Sequence, residues 1–228
     1  MKGKLMICFR EKCSRLAGYG MLAITVLSMS ACQSMYYGAM EKIGVEKRDI
    51  LIDRVENARE SQQEAKEQFE SALAQFIAVT NYSGGDLEKQ YNKLKDEYED
   101  SEARANEIHD RIASVERVAK DLFAEWNKEL EMYTSKELKR SSESQLASTQ
   151  QAYGKLIKTM KGAEKKIKPV LDAFRDRVLF LKHNLNANAI SSLRAEKQKI
   201  KSNITSLVHD MNKSIEEADR FITSMSTN

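Results

Sequence analysis

Few residues in this chain have the types and spacing that chemistry requires. His109, His183 and His209 are its three histidines, and none lies three or four residues from another. A histidine pair on one helix turn is therefore excluded, and with it the usual helical zinc platform. Cys8 and Cys13 sit near the N-terminus without further ligands, and Cys32 stands alone. No Gly-x-Ser-x-Gly elbow, Gly-Lys-Ser/Thr phosphate loop or dinucleotide fingerprint occurs. Glu60 and Glu64 are four residues apart, but such pairs occur on any charged helix. The acidic run Asp96, Glu97, Glu99, Asp100 and Glu102 reads as a solvated face, because adjacent side chains of a helix diverge by about 100°. Gly84-Gly85 has no strand before it and is a turn. The expectation is a protein that is not an enzyme, takes no cofactor and holds no metal.

The residue with a definite chemistry is Cys32. Lys2, Lys4, Arg10, Lys12 and Arg15 make a basic start, and residues 16–29 are an apolar run too short to span a bilayer comfortably. Small residues, Ser30 and Ala31, then precede the cysteine. The stretch resembles a bacterial lipoprotein signal. That resemblance implies that the Cys32 thiol is diacylated, that residues 1–31 are a signal peptide cut away, and that the new amine is acylated with a palmitate-type chain. Met29 stands where leucine is usual in that pattern. Gln33 and Ser34 follow with no aspartate, which implies the outer membrane of a Gram-negative bacterium, periplasmic face. More than one acyl chain anchors firmly, since each buried CH₂ contributes about 0.8 kcal/mol. Residues 32–46 form a lipidated tether, with Tyr36 and Tyr37 near the headgroups. Processing would leave one cysteine, acylated, and so no disulfide.

The rest of the chain must position whatever that anchor carries. Its signature is a heptad seam. Leu87, Tyr91, Leu94, Tyr98, Ser101, Ala105, Ile108, Ile112, Val115, Ala119, Leu122 and Trp126 follow at steps of four and three. They predict a helix over 87–133, roughly 70 Å long. A preceding helix over 47–80 carries Leu51, Val55, Ala58, Gln62, Ala65, Phe69, Ala72 and Phe76, with Gln62 a polar guest that fixes register. A third helix starts near 136 or later, because Ser141, Ser142 and Ser144 blur its beginning. Its seam is Tyr153, Leu156, Met160, Ala163, Ile167, Val170, Phe174, Val178, Leu181 and Leu185. Gly154 and Gly162 weaken it, and Pro169 should kink or break it. A fourth helix over 189–225 runs along Ile190, Leu193, Ile200, Ile204, Val208, Met211, Ile215, Ala218, Ile222 and Met225.

Short turns between long helices force antiparallel neighbours, so residues 47–228 should form an all-α antiparallel bundle or coiled coil of about four helices. The turns at 81–86 and 183–188 then share a membrane-distal tip. Tyr82, Gly84, Gly85, Asp86, His183, Asn184 and Asn186 are the candidate partner-binding residues there. The lipid, the 133–135 junction and the C-terminus share the other end.

The chain carries a net charge of +3, but without residues 1–31 it is close to neutral, which argues against nucleic acid. Residues 32–134 are acidic and residues 135–228 basic, by about −9 and +8. Either the two halves complement each other in the bundle, or the basic half, with Lys165, Lys166 and Lys168, meets anionic lipid or another polyanion.

Several local sequences together resemble the proteobacterial family known as domain of unknown function 2959. They are Tyr36-Tyr37-Gly38-Ala39-Met40-Glu41-Lys42, Lys47-Arg48-Asp49-Ile50-Leu51, Gly84-Gly85-Asp86-Leu87 and Tyr98-Glu99-Asp100-Ser101-Glu102. Pro169-Val170-Leu171-Asp172-Ala173-Phe174 and Phe180-Leu181-Lys182-His183-Asn184-Leu185-Asn186-Ala187 complete the set. The resemblance implies helical envelope lipoproteins and supplies no catalytic residue. The leading expectation is a scaffold or adaptor, a helical rod whose partners are the membrane, through its lipid, and an unidentified envelope protein. Open seams would also let it close as a homo-oligomer. The alternative is a binder of anionic lipid or other polyanion.

Overall fold

The computed structural model describes residues 46–226. Cys32, the apolar leader and the tether through Val45 lie outside the described residues. Four helices follow in order: α1 (Lys47–Thr80), α2 (Leu87–Leu130), α3 (Lys136–His183) and α4 (Ala187–Ser226). Among the described residues there is no strand.

Polar contacts between helices place the four as a ring. Glu64 meets Arg104 across α1 and α2 at 2.5 Å, and Lys161 meets Glu116 across α2 and α3 at 2.6 Å. Lys166 meets Asp210 across α3 and α4 at 2.6 Å, and Arg59 meets Asp219 across α1 and α4 at 2.8 Å. In each pair of helices the residue numbers run in opposite senses, so every neighbour is antiparallel. The core closes the diagonal, where Phe76 of α1 and Phe174 of α3 have ring centroids 5.7 Å apart.

The α1 seam is buried at all eight expected positions, Gln62 included. In α2 Leu94, Ser101 and the seam positions from Ile108 to Leu122 are buried, while Leu87, Tyr91, Tyr98, Ala105 and Trp126 are partly exposed. The helix ends at Leu130, three residues before the expected limit.

Three expectations are corrected. Pro169 does not break α3, which runs unbroken through Gly154, Gly162 and Pro169. Pro169 lies on the exposed side, and Ile167 and Val170 beside it are buried. The carbonyl that loses its donor therefore faces water, and packing holds the flanking turns. Leu185 is not in the seam: α3 has ended at His183, and Leu185 is 41% exposed in the turn. In α4 the buried positions are Leu207, Ser214 and Phe221, while Val208, Ile215 and Ile222 are only partly covered. The steps of four and three from Ile200 continue through Ile204, Leu207, Met211, Ser214, Ala218, Phe221 and Met225. Polar Ser214 beside apolar Ile215 obscures that register in the sequence.

The third helix also starts without a soft boundary. Ser135 is its N-cap, and the Ser135 hydroxyl accepts from the Leu138 amide.

Candidate functional site

The two turns meet at one end of the bundle. Arg194 in α4 donates from Nε to the Thr80 carbonyl at 3.0 Å, and Lys197 Nζ donates to Asn81 Oδ1 at 3.2 Å. The Arg194 cation thus satisfies an orphan carbonyl at the C-terminus of α1, where positive charge is favoured. These contacts fix turn 81–86 against the start of α4, and so against turn 183–186.

Within the tip, the candidate residues are first of all structural. Gly84 and Gly85 have φ of +151° and +118°, a region that side chains other than glycine rarely enter. Tyr82 donates its hydroxyl to the Gly85 carbonyl and staples the turn. Asp86 caps α2, accepting from the Lys89 amide at 2.9 Å. Asn184 is the C-cap of α3 and donates from Nδ2 to the Phe180 carbonyl at 2.9 Å. Asn186 accepts from the Ala189 amide at 3.0 Å and so starts α4. His183 is exposed in the last turn of α3. Asp86→Ala should lower stability by about 1 kcal/mol, with Asp86→Asn keeping most of it, measured by urea unfolding.

Beside this tip a groove of about 490 Å³ opens between α3 and α4, lined by Asp176, Arg177, Phe180, Ser192, Leu193 and Glu196. Arg177, only 14% exposed, pairs with Glu196 in it. A second groove of about 350 Å³, between α1 and α4, is lined by Arg59, Glu60, Gln63, Glu64, Ile215 and Asp219. Neither lining contains histidine or cysteine. Among the described residues no cluster of three or more His, Cys, Asp or Glu is arranged to hold a metal. No described helix is long and apolar enough to cross a membrane.

The acidic run on α2 is a solvated face apart from Glu97, which accepts from Gln68 and Ser71 of α1, both at 2.8 Å. His109 pairs with Glu164 at 2.7 Å, and that carboxylate holds the imidazole pKa above its ordinary value. Charge complementarity between the two halves is mixed. Lys161–Glu116 joins a base of the basic half to an acid of the acidic half, whereas Arg59–Asp219 runs the other way. Pairs as exposed as these are screened by water and add little to stability.

The opposite end has features that the seam analysis missed. Trp126 donates from Nε1 to the buried Ser142 hydroxyl at 2.8 Å. Phe123 meets Tyr153 edge-on at 5.4 Å. Burial, with Glu116 nearby, pushes the Tyr153 phenol up to about 12. The fold therefore favours the neutral phenol. Its stability contribution is complete below the ordinary value of 10.0 and is lost as pH rises from there towards 12. Burial and Glu102 also raise the Tyr98 phenol, so an ultraviolet titration should show late-ionising tyrosine absorbance of which the part nearest 12 is lost in Tyr153→Phe.

Exposed large apolar side chains collect at the two ends. Leu179, Phe180 and Leu185 are at the tip; Met132, Tyr133 and Leu138, exposed by 78%, 41% and 61%, are at the α2–α3 turn. The clustering of Met132, Tyr133 and Leu138 within seven residues, flanked by charges, was the available sequence signal.

The family model described as "Protein of unknown function (DUF2959)" matches residues 36–225. No curated protein and no solved structure matches the chain.

Proposed function

We propose that this chain, which belongs to the DUF2959 family of proteins of unknown function, is an envelope lipoprotein. It would be anchored through acylated Cys32 on the periplasmic face of the outer membrane and serve as a scaffold or adaptor. The carrying observation is the placement of the ends of the bundle. Fifteen residues after Cys32, α1 begins at the end opposite the turns 81–86 and 183–186. An anchor at Cys32 would hold one end of the rod and leave the two turns as the part furthest along it. The α1 helix alone is roughly 50 Å long. A rigid bundle with solvent-open grooves suits holding a partner at a distance better than converting a substrate.

The polyanion reading draws less support. Lys166 is engaged by Asp210 at 2.6 Å and Ser206 at 2.9 Å, and Lys168 by Asp172 at 2.7 Å. These contacts leave Lys165 as the lysine of that trio with no such engagement described. Binding through them would weaken steeply with salt.

Separation of inner and outer membranes from cells making the full-length chain tests the proposal. Wild type should travel with the outer membrane, and Cys32→Ser should leave it. Equal distribution of the two would contradict the anchor.

A further inference from the structure

Between its ends the bundle has four helices, but α2 and α3 reach further than their neighbours. Glu64–Arg104 and Gln75–Gln90 set the register of α1 on α2. By that register the start of α1 lies level with about Lys120, so α2 continues some ten residues, roughly 15 Å, beyond it. The register of α4 on α3 comes from Lys166–Asp210 and Arg177–Glu196. It places Ser226 level with about Ser148, so α3 also extends roughly 15 Å or more beyond the end of α4. The two helices and their turn project as a two-helix prong. Trp126–Ser142 and Phe123–Tyr153 tie it together, and Leu130 and Leu146 are buried in it.

At the end of that prong stand Met132, Tyr133 and Leu138, which the fold leaves in water. Lys128, Lys136, Lys139 and Arg140 surround them, against Glu129, Glu131 and Glu137. One acid and one base of this set pair with each other, and a second acid keeps its charge while accepting from a hydroxyl. Glu131 meets Lys139 at 3.6 Å, and Glu137 accepts from Ser135 at the start of α3. An apolar tip with a tyrosine, ringed by charges with a small excess of bases, has the composition of surfaces that sit in the headgroup region.

We infer that the α2–α3 prong is a second membrane contact, dipping Met132, Tyr133 and Leu138 into the interface of the bilayer that holds the Cys32 lipid. The inference rests on the lipid-anchor reading. Its occupant follows from where the chain outside the described residues ends. The 14 residues between Cys32 and Lys47 reach at most about 50 Å when extended, and they join the bundle at the same end as the prong. Two contacts, a lipid anchor and an inserted prong, would set the rod upright and aim the turns 81–86 and 183–186 away from the membrane. A tether alone would leave it free to tilt.

The test uses the full-length protein, purified with its lipid and reconstituted in phosphatidylethanolamine–phosphatidylglycerol vesicles containing nitroxide lipid. An environment-sensitive fluorophore is placed through Thr134→Cys, or through Ser83→Cys at the far tip, both exposed positions. Acylation of Cys32 is read by mass on the same sample. The expected result is roughly threefold or more quenching at position 134 relative to position 83, as an insertion depth of 5–10 Å requires. Met132→Glu, Tyr133→Glu and Leu138→Glu combined should abolish that difference with helicity unchanged.

Acylated, vesicle-bound protein with equal quenching at both positions would overturn the prong and leave the anchor standing. Protein without acyl chains that fails to float with vesicles would overturn the anchor reading and this inference with it. A fluorophore at 134 shielded from water yet not quenched by lipid would make a second copy of the chain the occupant, and would also overturn it.

Discussion

Phe76→Ala is expected to lower the unfolding free energy by about 4 kcal/mol. Phe76 is fully buried in α1, and its ring lies against Phe174 across the diagonal of the bundle. Removing it deletes the contact that joins two non-adjacent helices and leaves a cavity lined by stiff helical backbones. Four long helices cannot collapse locally around such a void without shifting register, so little of the loss is recovered. A domain of this size has about 5–15 kcal/mol in total, so the variant should unfold at much lower urea with an unchanged slope. Phe180→Ala makes the comparison, because Phe180 is 40% exposed and its loss should cost well under 1 kcal/mol. Equal effects from the two would mean that the diagonal core is not packed as described.

The second large effect has the opposite sign. Gln62 is completely buried in the α1 seam, and neither its amide nitrogen nor its oxygen has a hydrogen-bond partner. The hydroxyls of Ser61 and Ser214 are buried and unpartnered as well. Arg59–Asp219 and Lys66–Asn212 bracket all three residues, so they occupy one level of the bundle. A buried polar group without a partner costs about 1–3 kcal/mol. Gln62→Leu replaces the amide with an apolar group of similar size and should raise stability by about 2 kcal/mol in urea unfolding. A loss of stability would instead mean that ordered water satisfies the amide in solution. A polar residue in a seam also restricts pairing. Gln62→Leu should therefore associate more at high concentration, as sedimentation would show.

Much of the architecture was readable from periodicity. Helix α1 has the expected bounds, because the apolar stripe opens at Ile50 and Leu51 in its first turn and Gly84-Gly85-Asp86 closes the hairpin with glycines that need positive φ and an aspartate that caps. The α4 register was not readable in its second half. Leu207 and Val208 are both apolar, as are Phe221 and Ile222, so either row serves as a seam, and Ser214 points the reader to the wrong one. Pro169 misled for a related reason. Its effect depends on which side of α3 it occupies, and tertiary packing decides that.

The candidate tip residues lie together at one end of the bundle, and the side chains of Tyr82, Asp86, Asn184 and Asn186 are occupied in caps and turns. A partner there would meet the exposed shoulders, Ser83, His183 and Leu185, more than the capping groups. The cation that finishes α1 comes from Arg194, 114 residues away, and no local pattern signals it. The Arg177–Glu196 pair and its groove are products of the same long-range packing.

The most direct test of the account is the covalent state of Cys32. Cells making the full-length chain are fed a fatty-acid analogue, and wild type is compared with Cys32→Ser. The account predicts label and diacylglyceryl mass on the wild-type N-terminus, beginning at Cys32, and neither on the variant. An unlabelled wild-type chain that retains residues 1–31 would contradict it. The bundle would then stand without its anchor, and the rod would have no membrane end.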